Sequence, residues 1–331
     1  MRFGLFVPQG WRLDLVGVEP ERQWEVMLGL AQHAADGPWE SVWVYDHFHT
    51  FPVPTDEATH EAWSLMAALA AATSRVRLGQ MCTCMGYRNP MHLAKVASTV
   101  DLISGGRLEM GIGAGWYEHE WTAYGYGFPG AGDRIAMLAE GVQIMREAWR
   151  DGVVTLAGEH YQVDGALCHP RPLQPGGPPL WIAGGGERKT LRIAAEHAAY
   201  TNFDGDPEVF AHKSEVLAGH CRDIGRDLDE IVRSADYNVL IGRDEAEVEQ
   251  RLAEIEDRYR PFLAPQGLAR VVKMWRDGPL VGTPEQIVER LQELAGLGLG
   301  YSILYFAEAA YDRSGIDLFA KEVIPALGGV S

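Results

Sequence analysis

Apolar residues along this chain gather into short continuous runs, each followed by a longer stretch with helical spacing. The run over 3–8 predicts a buried strand, and Pro20 then stands where a first helical residue would, opening an amphipathic stretch over 21–35 that stops before Gly37-Pro38. A strand over 41–45 and an Ala- and Leu-rich helix over 61–72 repeat the pair. The third pair has the clearest punctuation. A strand over 76–82 leads to Asn89-Pro90, a cap followed by a proline at the first helical position, and the helix over 90–103 is stopped by Ser104-Gly105-Gly106.

Five further pairs follow: strands over 108–112, 180–183, 200–203, within 231–241 and over 301–306, with helices over 133–150, 187–196, 207–225, 244–257 and 316–327. A capping box at Thr283-Pro284-Glu285-Gln286 starts one more helix, reaching 297, ahead of the last strand. Strand–helix units without a repeat at the residue level predict an α/β chain of the (β/α)8 TIM-barrel class rather than a doubly wound sheet. No linker interrupts the pattern, so 1–331 is expected to be one barrel domain with excursions near 116–132, 151–179 and 259–279. The second excursion carries a small hairpin around Ala157-Gly158-Glu159, and the third is expected to be irregular.

At 331 residues and 47% apolar composition, the chain is long enough for such a barrel and can fill its core. Acidic residues outnumber basic ones by 46 to 29, and a net charge of −17 argues against nucleic acid or an anionic membrane as partner. Four cysteines, at 82, 84, 168 and 221, make neither a Cys-x-x-Cys pair nor a disulfide framework. With no apolar run of membrane-spanning length, the expectation is a cytoplasmic protein.

In a barrel, polar residues just past the C-terminal ends of strands share one mouth. The run 41–45 ends in Asp46-His47-Phe48-His49, an acid beside an imidazole that can give or take a proton near neutral pH. His47-x-His49 also suggests a metal, but the other strand ends, at Met81-Cys82, Gly184-Gly185 and Tyr305-Phe306, supply no further carboxylate or imidazole, so no metal is expected. Gly111-x-Gly113-x-Gly115 either lets a bulky ligand approach the backbone or serves as a structural turn. Gly184-Gly185-Gly186 before a helix, with Arg188 and Lys189 close by, favours phosphate. Cys82-x-Cys84 reads as small residues packed at a rim rather than as a redox pair. The aromatics at 116, 117, 121, 124, 126 and 128 lack core spacing, and a wall over a planar ligand is the alternative.

Taken together, Tyr45-Asp46-His47-Phe48, Arg88-Asn89-Pro90, Ser104-Gly105-Gly106-Arg107-Leu108, Gly111 to Trp116 with Glu120, Pro179 to Gly186 and Val281 to Gln286 make the chain resemble the luciferase-like monooxygenase superfamily, in its branch of coenzyme F420-dependent oxidoreductases. The resemblance implies a barrel, a homodimer, a small-molecule substrate and a ring-shaped cofactor over the strand ends. It implies that Asp46 hydrogen-bonds the ring and that His47 lies beside the hydride-bearing carbon. Met81, Cys82 and Thr83 would form the bulge behind the ring, often with a non-prolyl cis peptide. Gly115 and His119 would lie along the cofactor, Gly185, Gly186 and Glu187 would receive its phosphate, and Asn202 would come from the next strand end. Trp116 and Phe48 would face the substrate. Related sugar-phosphate dehydrogenases carry a proton-donating glutamate where this chain has Trp116, which argues against sugar-phosphate oxidation and leaves the substrate pocket more apolar. The leading expectation is an oxidoreductase that moves a hydride between F420 and a small organic substrate, reducing a C=N or C=C bond. An FMN-dependent monooxygenase and a barrel that binds a flavin-like ligand without catalysis are the alternatives.

Overall fold

The computed structural model describes residues 1–328. Among them, eight parallel strands alternate with helices, the arrangement of a (β/α)8 barrel. By internal contacts the described residues divide into two compact units, one of residues 1–60, 204–211 and 233–328, the other of 61–203 and 212–232.

The first unit carries four of these strands and the short additional strand Leu280–Gly282, all parallel, in the order Leu280–Gly282, Val232–Ile241, Leu299–Phe306, Arg2–Phe6 and Ser41–Val44. Leu5 stands opposite both Leu304 and Val42. Their side chains are buried without alternation, as expected of parallel strands covered on both faces. Phe3, Trp39, Phe306 and Phe319 cluster in one core, with edge-on contacts such as Phe3–Phe319 at 5.6 Å.

The second unit orders Arg77–Gln80, Leu108–Gly113, Leu180–Ala183 and Tyr200–Asn202, all parallel, with Thr83–Cys84 also pairing to Leu108–Gly113. The hairpin expected in the second excursion is present as Val153–Ala157 against Gln162–Leu167.

Two motifs carried by the resemblance act here as fasteners. Arg88 reaches the Glu61 carboxylate at 2.9 Å, and Glu61 caps the helix Ala62–Ala72 by accepting from the N–H groups of Trp63 and Ser64. Arg107 donates to the carbonyls of Ala70 and Thr73 at the far end of the same helix, at 2.8 and 2.7 Å, satisfying acceptors that the helix leaves open.

Three expectations need correction. The stretch expected to be irregular over 259–279 contains the helix Pro265–Arg276. Pro265 occupies its first turn, where no N–H is needed, and Leu268, Val271 and Trp275 at spacings of three and four bury one face. The helix expected from 187 starts at Thr190 and runs to His197, because the chain turns through 187–189 first. The final helix is a short turn over Ser314–Leu318, a π-helical turn over Phe319–Val323 and Ile324–Ala326. Pro325 there has no N–H to continue an α-helical ladder.

Candidate active site

In the first unit, the chain leaves the strand Ser41–Val44 with Tyr45 buried and Asp46 only 2% exposed. The side-chain amide of Gln9 imitates a neighbouring strand: it donates to the Tyr45 carbonyl at 2.8 Å and accepts from the Tyr45 N–H. Gln9 also donates to the His60 carbonyl at 2.9 Å, so one amide ties together the residues flanking both ends of the loop 46–60. Tyr45 stacks on Phe6 with ring centres 4.2 Å apart. His47, half-buried, lies flat on the indole of Trp11 at 4.1 Å with an angle of 4° between planes. Its ring is thereby held in one orientation directly after a buried carboxylate. Phe48 and His49 are half-buried in the loop that follows.

Beneath Trp11, the guanidinium of Arg12 sits over the rings of Tyr305, Trp11 and Tyr45 at 4.5, 5.5 and 5.8 Å and donates to Asn238. Asp14 is buried, accepting from the Gly10 N–H at 2.7 Å and the Tyr305 hydroxyl at 3.0 Å. Burial pushes its carboxyl upward, while those hydrogen bonds and the nearby Arg258 and Arg12 pull it back. Gln9, Trp11 and Arg12 were missed by sequence reasoning, although Gln9-Gly10-Trp11-Arg12 follows the first strand as Asp46-His47 follows the second.

In the second unit, the Met81–Cys82 peptide is cis. Met81 is buried, Cys82 half-buried, and Thr83 donates to the Gln80 side-chain oxygen at 2.8 Å. The glycines of the Gly111-x-Gly113-x-Gly115 run face this segment. A Cβ at Gly111 would strike the Gln80 carbonyl, one at Gly113 would come within 2.8 Å of the Cys82 sulfur, and one at Gly115 would strike the Cys84 sulfur. The run therefore has a packing role against 80–84. Cys82 and Cys84 are both free thiols, and Cys84 is buried against this run.

Gly184 has a left-handed φ of 117°, and its N–H donates to the Asn202 carbonyl at 2.8 Å, so the glycine turn and Asn202 share one strand end. Lys213 lies against Gly185 and bonds the Glu187 carboxylate at 2.5 Å, with His212 at 3.0 Å. The hydrogen bonds with Lys213 and His212 lower the Glu187 carboxyl. A carboxylate cannot receive a phosphate, so what Glu187 can offer an anion is its backbone N–H. His119 is exposed on the helix Glu118–Ala123, with its ring 5.8 Å from that of Tyr117.

The aromatic stretch divides into two parts. Trp116 is 57% exposed and stacks on Tyr117 at 5.2 Å, whereas Trp121 is fully buried against Gly86 and Gly115. Trp121 is thus core, against the expectation that these residues lack core placement.

Residues 1–300 match the family model described as luciferase-like monooxygenase. The chain belongs to that family. Among luciferase-like relatives, an F420-dependent glucose-6-phosphate dehydrogenase of Mycobacterium leprae is 29% identical, over 91% of this chain and 93% of that protein. A pyrimidine monooxygenase, RutA, of Stutzerimonas stutzeri is 25% identical over 99% and 96% of the two chains. The solved structure of an F420-dependent secondary alcohol dehydrogenase, in complex with an F420–acetone adduct, superposes with a TM-score of 0.78 and 22% identity, covering 98% of each chain. That likeness establishes the luciferase-like barrel as the fold. Among the described residues, no cluster of three or more His, Cys, Asp or Glu could hold a metal ion, and no helix is long and apolar enough to cross a membrane.

Proposed function

We propose that this chain is an oxidoreductase that moves a hydride between coenzyme F420 and a small organic substrate, reducing a C=N or C=C bond. The observation that carries the proposal is His47, half-buried, fixed face to face on Trp11 and placed directly after the buried Asp46. Relatives named as F420-dependent, one of them aligned over nearly its full length, support the choice of cofactor.

The residues present suit such a group. Gln80 is buried, and its side-chain N–H group has no hydrogen-bond partner among the described residues, a donor that a ring oxygen would satisfy. Gly185 and Gly186 precede the helix Thr190–His197, whose start has no side-chain cap, a setting that suits a phosphate. Bound F420 would supply the hydride. Asp46 would accept a hydrogen bond from its ring, and Met81, Cys82 and Thr83 would back that ring. Gly115 and His119 would lie along the cofactor, with Gly185, Gly186, Glu187 and Asn202 toward its phosphate. His47 would hold or move the proton at its imidazole nitrogen. Trp116 and Phe48 would face the substrate.

A second reading, an FMN-dependent monooxygenase, draws on the likeness to the pyrimidine monooxygenase. Anaerobic mixing with reduced F420 and a panel of imines and activated alkenes tests the first reading. Acceptor-dependent oxidation of F420 without oxygen supports it; turnover only with reduced FMN and oxygen would replace it with the second.

A further inference from the structure

Two cavities of the first unit meet at a pair of arginines. The smaller, of about 350 Å³, is walled by Phe51, Pro52, Val53, Leu263, Val271 and Met274. The larger, of about 540 Å³, is bordered by Asp204, Asp206, Asp236 and Asp277. Arg12 and Arg270 line both.

Both guanidiniums open onto these cavities. Arg12 makes one side-chain hydrogen bond, to the neutral Asn238, and otherwise faces aromatic rings. Asp236 and Asp14 act on Arg12 through space, and no carboxylate lines the smaller cavity beside Arg12 and Arg270. A guanidinium offers five N–H donors in a fork shaped for a carboxylate, so most of the capacity of Arg12 is unspent. The four aspartates disfavour an anion in the larger cavity, while the smaller has no acidic side chain in its wall. Its volume lies within the range of small-molecule sites. Its one hydroxyl, of Tyr259, is engaged with the Arg12 carbonyl at 2.8 Å, which leaves little for a sugar to bond. Phe51 lies 5.5 Å from the Trp11 ring, and Trp11 carries His47 on its face, so two ring contacts link the cavity wall to the imidazole.

We propose that the smaller cavity binds an apolar carboxylic acid, its carboxylate held between Arg12 and Arg270 and its hydrocarbon body against Phe51, Val53, Leu263 and Met274. Resting on the function proposed above, this makes the reducible substrate an apolar compound bearing a carboxylate.

Calorimetric titration of the full chain with hexanoate, hexan-1-ol and inorganic phosphate tests the site without any turnover. Hexanoate should bind about tenfold or more tightly than either of the others, as a charge-assisted hydrogen bond implies. Arg270→Gln should weaken hexanoate about tenfold and leave hexanol unchanged, and Arg12→Gln should weaken it further. Arg270 is exposed at the cavity, so that variant carries the test if Arg12→Gln melts early. Equal binding of hexanoate and hexanol, phosphate binding as tightly as hexanoate, or hexanoate binding that neither substitution changes would overturn the proposal. Titrating F420 on the same samples separates the two proposals: hexanoate without F420 removes the cofactor assignment and leaves the acid site standing, and F420 without hexanoate does the reverse.

Discussion

The imidazole of His47 lies on the indole of Trp11 with their ring centres 4.1 Å apart and the planes 4° from parallel. A side chain stacked in this way keeps its nitrogens pointing along the plane of its support, which is how a proton-transfer group is aimed before anything binds. His47→Ala should lower turnover by roughly 10²- to 10⁴-fold while cofactor affinity changes by no more than a factor of a few. Trp11→Ala should produce a smaller loss of the same kind. Steady-state kinetics beside a cofactor titration distinguish this from a binding defect, and unchanged turnover in His47→Ala would remove the role.

The strand end that presents Asp46 depends on the side chain of Gln9. Gln9→Ala would leave the N–H and carbonyl of Tyr45, both buried, without their partner. The expected cost is about 2–6 kcal/mol, from about 1–3 kcal/mol for each of the two orphaned groups. Urea unfolding measures it, and a loss below 1 kcal/mol would mean that the loop re-pairs those groups by itself.

Close packing between the glycine run and residues 80–84 makes an asymmetric forecast about alanine. At Gly111 the new methyl would strike the Gln80 carbonyl, a backbone atom that can yield only if a strand moves. Gly111→Ala should therefore destabilise by about 2–4 kcal/mol, within the range of severe overpacking. Gly132, in the helix Ala131–Asp151, has nothing within 4 Å of such a methyl, and Gly132→Ala should be neutral or stabilising by up to about 1 kcal/mol. Thermal unfolding of the two variants side by side checks the contrast.

Glu308 gives the fold a pH dependence. Burial raises its carboxyl to about 7, against the lowering influence of its own backbone N–H, Arg251 and Arg258, and its Oε2 atom has no hydrogen-bond partner among the described residues. A carboxyl raised in the folded state binds its proton more tightly there than in the unfolded chain. Its contribution to stability is therefore complete below the unfolded value near 4.5 and is lost as pH rises through about 7. Glu308→Gln cannot titrate, so wild-type stability relative to this variant should fall by about 2–3 kcal/mol between pH 5 and pH 8. Urea unfolding at the two pH values reads the difference, and a constant or rising difference would contradict the burial argument.

Period and punctuation made most of the fold readable. Strands buried on both faces leave continuous apolar runs, and Asn89-Pro90 and Thr283-Pro284 mark helix starts by local chemistry that tertiary packing did not override. The helix Pro265–Arg276 was not legible: its proline sits where a helix tolerates it, and only the buried face at 268, 271 and 275 reveals the period. Asp46 and His47 were legible as polarity at a strand end. Gln9 and Trp11 were not, since a glutamine that mimics backbone and an indole that supports an imidazole are defined by contacts across 36 residues of chain. The glycine run was ambiguous for a related reason: only three-dimensional contact discloses that its bare faces meet Gln80, Cys82 and Cys84.

The central claim concerns which ring this barrel was built to hold. Parallel titrations with oxidised and reduced F420 and FMN, followed by fluorescence and calorimetry on one preparation, test it most directly. The account predicts saturable 1:1 binding of F420, in at least one oxidation state, at concentrations where FMN does not compete. Tight binding of FMN with no measurable affinity for F420 would contradict it.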